Sequence, residues 1–314
     1  METATLRLFL AIAEQGSLTK AAAALETSQS AISRQIVQLE AECGGKLFHR
    51  TGRGMVLSDL GSILLPRVEK LLGEIDGILG EAQAMAGIPA GEIKLGLLPI
   101  VASVIASRLF KEVQARFPNV RMSLFEGYSG QLEEWLDSGK LDLAVLFHYG
   151  KGVPRNQDLL AEVDACLIGT HGDRLTLEKT VRFEQLHDIP LALPSAPNPL
   201  RSVLEHTARK CQIRLNPVIE ANSIPVQLEL VATGGCYTII PYFAVAKKVQ
   251  EGILQASLIG DPSIDRSLTL AMTTQRPISL AAREVGRLVR QIVEELRDTD
   301  VWGLADVLIK RKKT

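Results

Sequence analysis

The apolar residues of the first 86 positions recur at helical spacing, and beyond residue 91 short strand-like runs alternate with helical ones. Leu6, Phe9, Leu10 and Ala13 mark a first helix, which Gly16 ends. Ser17 can accept the first free N–H groups of a second helix, residues 18–25, whose alanines let a neighbour pack close. Thr27 and Ser28 offer the N-cap of a third helix reaching about residue 43. On that helix Ala31, Ile32, Gln35, Ile36 and Leu39 lie on or beside the inner face, while Gln29, Ser30, Ser33, Arg34 and Gln38 lie mostly outward. Leu47 and Phe48 anchor the next segment, where His49, Arg50, Thr51, Gly52, Arg53 and Gly54 precede Met55, Val56 and Leu57. This predicts two short strands around a glycine-bearing turn with arginines at its tip.

Ser58 can cap a long helix running to about residue 86, with an apolar stripe of Leu60, Ile63, Leu64, Val68, Leu71, Leu72, Ile75, Ile78, Leu79, Ala82 and Met85. At 1.5 Å per residue such a helix spans roughly 40 Å. The stripe needs a partner, either a second copy of the chain or the chain's own C-terminal part. Pro66 sits early in it, where it can bend the helix. Residues 87–91, with Gly87, Pro89 and Gly91, break the pattern and predict a hinge. Strands are then expected at 92–97, 121–125, 141–146, 165–169, 191–193, 217–220, 237–240 and 268–272, and helices at 100–116, 130–138, 200–211, 225–233, 242–250 and 280–297. The alternation predicts an α/β unit with a mostly parallel sheet.

The outward residues of the third helix carry the chemistry of base reading. A glutamine offers a donor and an acceptor to adenine, an arginine can grip O6 and N7 of guanine, and a serine can bind phosphates or base edges. They fall near a helix start, which also favours phosphate. A basic hairpin tip beside them suits the DNA backbone or minor groove. A solvated polar face and an ordinary exposed turn explain the same residues equally simply. Charge tempers the electrostatics. Over residues 1–60, Arg7, Lys20, Arg34, Lys46, Arg50 and Arg53 are balanced by Glu2, Glu14, Glu26, Glu40, Glu42 and Asp59, and the whole chain carries a formal net charge of −1. One copy alone is expected to hold non-specific DNA weakly, and linked copies would overcome this. Cys43, Cys166, Cys211 and Cys236 are far apart, with no CxxC pair and no metal-like spacing, so no metal or cofactor is expected. No apolar run suits a signal peptide or a membrane span. The fragments Tyr128-Ser129-Gly130 and Thr170-His171 lack the partners a hydrolase needs, so a small-molecule-binding protein or an enzyme on this α/β fold is the weaker alternative.

The N-terminal segment resembles the winged helix-turn-helix of the LysR-type transcriptional regulators, through Phe9, Glu14, Gly16, Ser17, Leu18, Thr19, Ala21, Ala22 and Leu25. The likeness continues through Ser28, Gln29, Ala31, Ser33, Arg34, Gln35, Ile36, Leu39, Glu40, Gly44, Leu47, Phe48, Arg50, Arg53, Leu57 and Gly61. Ser30 stands where the family often has proline, Cys43 where leucine is usual and Leu60 where alanine is usual. The C-terminal part is similar to the family's effector domain in residues 91–96, Phe117-Pro118, Glu126-Gly127 with Ser129, Leu136 with residues 139–144, Pro194, and Gly234 to Pro241. Where the family has Gly-x-Gly before the strand ending at Pro241, this chain has Gly234-Gly235-Cys236, and Cys236 is expected to be a small buried residue or a thiol near the cleft.

The resemblance implies a winged helix-turn-helix (1–58), a linker and dimerisation helix (59–87), a two-subdomain α/β effector domain of periplasmic-binding-protein-like fold (88–300) and a basic tail (301–314). Subdomain I would take 92–162 and 268–297, and subdomain II 163–267. The implied DNA-binding residues are Ser28, Gln29, Ser30, Ser33, Arg34, Gln38, Arg50 and Arg53. The implied effector-cleft residues, at strand ends and helix starts, are Pro99, Ile100, Ser103, Ser129, Ser195, Asn198, Asn222 and Ser223. Serines and asparagines there also serve as plain helix caps. The expected partners are double-stranded promoter DNA, a small organic effector such as a carboxylate, further copies of the chain as a dimer or tetramer, and RNA polymerase. The expected location is the cytoplasm, at the nucleoid. The basic end, Lys310 to Lys313, fits a solvated tail or a contact with DNA or another subunit.

Overall fold

A computed structural model describes residues 2–52, 54–85, 87–150, 152–299 and 302–303, and side chains other than those of residues 76, 77 and 79–85. Arg53, the Leu79, Ala82 and Met85 side chains of the expected stripe, and the basic end lie outside the described residues. The chain forms two compact units, Met1–Gly91 and Glu92–Thr314.

The first unit contains α1 (Thr3–Gln15), α2 (Leu18–Ala24), α3 (Gln29–Cys43), β1 (Phe48–Thr51), β2 (Gly54–Leu57) and α4 (Asp59–Met85). Its boundaries follow the expected chemistry. Gly16 ends α1 in the left-handed conformation at φ 60°. Ser17 Oγ accepts from Lys20 N at 3.4 Å, and Ser28 Oγ accepts from Ala31 N at 3.2 Å. Phe9, Ile12, Ile32, Leu39 and Leu47 are fully buried between the helices, with the Phe9 and Phe48 rings 5.3 Å apart. β1 and β2 pair antiparallel from Phe48 opposite Leu57 to Thr51 opposite Gly54. Gly16 O accepts from Met55 N at 2.8 Å, tying the first turn to the hairpin.

The start of α4 is clamped to the hairpin. Ser58 Oγ accepts from Gly61 N at 3.0 Å and donates to Lys46 O. The expected single stripe on α4 resolves into two. Val68 and Leu72 are buried in the head's core, with Leu60, Leu64 and Leu65 packed on it. Ile63, Leu71 and Ile78, at near-heptad spacing, stay exposed.

The second unit runs β3 (Gly91–Leu97), α5 (Pro99–Arg116), β4 (Val120–Glu126), α6 (Ser129–Asp137), β5 (Leu143–Tyr149), β6 (Gln157–Glu162), β7 (Cys166–Thr170), β8 (Thr180–Arg182), β9 (Pro190–Leu193), α7 (Pro199–Lys210), β10 (Asn216–Glu220), α8 (Ile224–Ala232), β11 (Thr238–Ile240), α9 (Ala246–Gln250), β12 (Leu254–Gly260), β13 (Arg266–Met272) and α10 (Leu280–Arg297). One sheet has the order β4-β3-β5-β13-β6, and the others are β11-β7-β12-β8 and β10-β9. The chain passes between the two subdomains twice, after β6 and before β13. α10 buries Ala281, Ala282, Val285, Leu288, Val289, Ile292 and Val293 on one face.

Several expectations change. The sheets are mixed rather than mostly parallel. β13 runs antiparallel to β5 and β6, because the returning crossover inserts it between those two strands, and β7 runs antiparallel to β11 and β12. β6, β8 and β12 were not anticipated, since their half-exposed, polar-bearing sequences resemble loops. The expected helix 242–250 is a 3-10 turn, Tyr242–Ala244, followed by the short α9. β13 begins at Arg266, two positions before the strand expected at 268–272. Trp302, placed by sequence in a tail, is buried and stacks on Phe243 with centroids 4.7 Å apart.

Gly61 sets how closely α4 approaches the hairpin, since a Cβ there would lie 2.2 Å from Leu47 O. Gly61→Ala is expected to destabilise the chain by about 1–3 kcal/mol through overpacking. Ser62→Ala, on the exposed side of the same turn, should stay within about 0.5 kcal/mol of the parent. Urea midpoints of the full-length proteins distinguish the two.

Candidate DNA interface and ligand cleft

Ile32, Ile36, Leu39 and Glu40 form the buried side of α3. Ser28, Gln29, Ser30, Ser33, Arg34 and Gln38 are all exposed, as is Arg50 on β1. The structure therefore presents these sequence-assigned residues together on one helix and its wing. One detail departs from the sequence reading, and the expected Ser28 cap holds. Gln35, placed beside the inner face, is exposed. Ser28 uses its hydroxyl as the cap of α3 and lies 3.1 Å from Ser30 Oγ.

Glu40 was matched as a family residue but given no role by the sequence. Its buried carboxylate accepts from Lys46 Nζ at 2.6 Å and from Leu47 N at 3.0 Å. It thus ties the last turns of α3 to the start of the wing. Burial raises its pKa, but the Lys46 hydrogen bond, the Leu47 N–H and the Lys46 charge outweigh that, so the carboxyl lies below the ordinary 4.5.

The cleft candidates sit at strand ends, as their positions in the fold require. Pro99 is half-buried and Ile100 buried at the start of α5, and Ser103 Oγ donates back to Ile100 O at 2.9 Å. Gly127 N donates to Leu97 O at 3.3 Å, which brings the α6 start beside the α5 start. Ser129 does not cap α6, because it is the first helical residue. It is buried, its hydroxyl donating to Phe147 O at 3.3 Å and accepting from Phe147 N at 3.2 Å. Asn198 Oδ1 caps α7 through Leu200 N at 3.0 Å and Arg201 N at 3.4 Å, with Pro199 following. Ser223 holds the cap position of α8 without a capping hydrogen bond and is exposed.

Ser195 and Asn222 form a closed pair. Asn222 Oδ1 accepts from Ser195 N and Oγ, both at 3.0 Å, and Asn222 Nδ2 donates to Ser195 Oγ at 2.8 Å. Sequence reasoning missed Tyr128. Its exposed hydroxyl crosses from subdomain I and donates to Asn222 O at 2.7 Å. Arg201 closes the candidate run that begins at Ser195. Its guanidinium donates to Glu205 at 2.6 Å, to Glu220 at 3.3 Å and to Pro194 O at 3.4 Å, so its charge is already matched. A cavity of about 260 Å³ opens elsewhere, between the two crossover segments, lined by Glu162, Asp164, Asp265 and the buried Arg266. Its carboxylates outnumber its one cation, a lining that disfavours an anion. Cys236 is buried, and burial pushes its thiol up, away from a reactive thiolate.

A three-helix head with a hairpin wing, joined to a two-subdomain α/β unit with polar strand ends, has the make-up of a transcription regulator that couples DNA to a small molecule. The family model for the bacterial regulatory helix-turn-helix protein, lysR family, matches residues 3–62, and that for the LysR substrate binding domain matches residues 86–294. The chain belongs to the LysR family and is a DNA-binding transcriptional regulator with a substrate-binding domain, not an enzyme. The HTH-type transcriptional regulator BbuR of Bordetella bronchiseptica is 31% identical over 95% of this chain and 90% of its own. A full-length OxyR variant from Pseudomonas aeruginosa superimposes with a TM-score of 0.68 at 19% identity, over 96% of both chains. Full-length CbnR in complex with its target DNA does so at 0.65 and 20% identity, over 95% of this chain and 99% of that one. Among the described residues no helix is long and apolar enough to cross a membrane.

Because the Glu40 carboxyl is lowered on folding, it stabilises the head above the ordinary unfolded value of 4.5, and that contribution disappears as pH falls through the lower folded value. Glu40→Gln should therefore lose stability relative to the parent at pH 7 and converge with it at low pH. Thermal melts from pH 7 to pH 3 read the difference.

Proposed function

We propose that the regulator reads paired operator half-sites through the exposed face of α3. Gln29, Ser30, Ser33, Arg34 and Gln38 would face base edges, and Ser28, Arg50 and Arg53 the sugar-phosphate backbone. The observation that carries this reading is the sidedness of α3: every sequence-assigned polar residue stands exposed while Ile32, Ile36 and Leu39 hold the helix from behind. The near-neutral head favours an oligomer, since a single head has little surplus charge for phosphates. Ile63, Leu71 and Ile78 give the linker an apolar stripe for a second copy, and a homotetramer would double the paired heads. Contact with RNA polymerase and a place at the cytoplasmic nucleoid follow from promoter binding. The division 1–58, 59–87 and 88–300 assigns the reader, the pairing helix and the sensor.

For the sensor, a small organic effector would lie between Pro99, Ile100 and Ser103 on one side and Ser195, Asn222 and Ser223 on the other, with Ser129 and Asn198 shaping the walls. The starts of α6, α7 and α8 favour a carboxylate, and the apolar start of α5 favours its organic part. Binding shifts the balance between two subdomain arrangements, which alters how paired heads sit on DNA.

Genomic fragments bound by the purified protein would identify its operators. On such a fragment Arg34→Ala and Gln29→Ala should each weaken specific binding by about 1–3 kcal/mol, with much smaller changes on random DNA. Equal losses on both DNAs would remove the base-reading role. With a reporter driven by that operator and a library of organic acids as probe, Asn222→Ala is expected to blunt the response by about tenfold or more while operator affinity without effector stays unchanged. An undiminished response would remove the cleft assignment.

A further inference from the structure

One side chain on the base-facing surface of α3 does not belong to its polar set. Val37 is 55% exposed, and it is the one large apolar side chain on the exposed arc of α3 among the described residues. It is neither part of the head's core nor packed against it. Helical geometry places it one turn beyond Ser33 and Arg34 and two turns beyond Ser30, in the same outward stripe. A β-branched residue at an exposed helical position has lower helix propensity than the alanine or charged residues common there, and no packing on the head's core compensates for it.

The chemistry of the major groove limits what can face an isopropyl group. The base edges present N7, O6 and O4 acceptors, N4 and N6 donors, and one apolar group, the C5 methyl of thymine. Against Val37 any of the polar groups would lose water without gaining a partner, which is costly, whereas the methyl gains apolar contact. We infer that Val37 is a specificity-determining residue that seats on the thymine methyl of one A·T pair in each half-site, one turn of α3, about 5.4 Å, from the pairs facing Ser33 and Arg34. The inference rests on α3 being the base-reading helix and adds the position and identity of one base to that reading.

The test uses the full-length protein and an operator duplex selected from its own genome. Each thymine is replaced singly by deoxyuridine, which removes only the C5 methyl. At one thymine per half-site the replacement should weaken wild-type binding about fourfold, the value of one buried methyl group, and roughly the square of that when both half-sites are changed. Val37→Ala should bind the thymine and deoxyuridine duplexes alike, with the same salt slope as the parent because no phosphate contact is lost. It should also keep or slightly raise its melting temperature, since the side chain is exposed and alanine is the better helix former. Wild-type binding indifferent to every replacement would overturn the assignment, as would methyl sensitivity that persists in Val37→Ala. Failure to select any genomic fragment would instead overturn the underlying DNA-reading role of α3.

Discussion

The packing of Ile32, Ile36 and Leu39 against Phe9 and Ile12 is the constraint on which the DNA-facing half of this regulator depends. A helix held on one side by three fully or nearly fully buried aliphatics can present only its other side. Gln29, Ser33, Arg34 and Val37 therefore share one surface as a consequence of core burial, with no contact among themselves required. Glu40, at the edge of the same buried stripe, converts this into a two-element surface. Its carboxylate grips Lys46 and Leu47 and so orients the strand that carries Arg50.

The sensing half depends on its two chain crossings. β6 leaves subdomain I and β13 returns beside it, so two adjacent backbone segments join the subdomains, which also share one buried apolar cluster. Such a pair of connections permits a hinge motion, limited by the apolar surface the subdomains share. Against that freedom stands the hydrogen bond from Tyr128 to Asn222 O, with Asn222 itself locked to Ser195. A ligand entering there would meet a bridge already spanning the subdomains, and its affinity would be set partly by whether it keeps or replaces that bridge.

Several cleft residues chosen for their polarity prove to have structural duties. Ser129 is occupied by the main chain of Phe147, and Asn198 by the first turn of α7. Their type and position could not separate capping from ligand binding, because both uses need the same short polar side chain beside a helix start. Ser195, Asn222 and the missed Tyr128 are joined across a sequence separation that no local pattern reports. A lone tyrosine after a glycine carries no sequence signal of a bridge.

The sequence alone determined the head and the order of its elements, because helical periodicity, the caps at Ser17, Ser28 and Ser58, and the glycines at 16 and 44 act within a few residues of one another. It also determined the family, through many matching residues spread along the chain. Tertiary structure alone decided the mixed sheet order, the strands β6, β8 and β12, the burial of Trp302, the one-sided packing of α4 and the Tyr128 bridge. Each of these depends on partners that lie far away in sequence, and their pairing is settled by which surfaces remain to be covered once the local elements have formed.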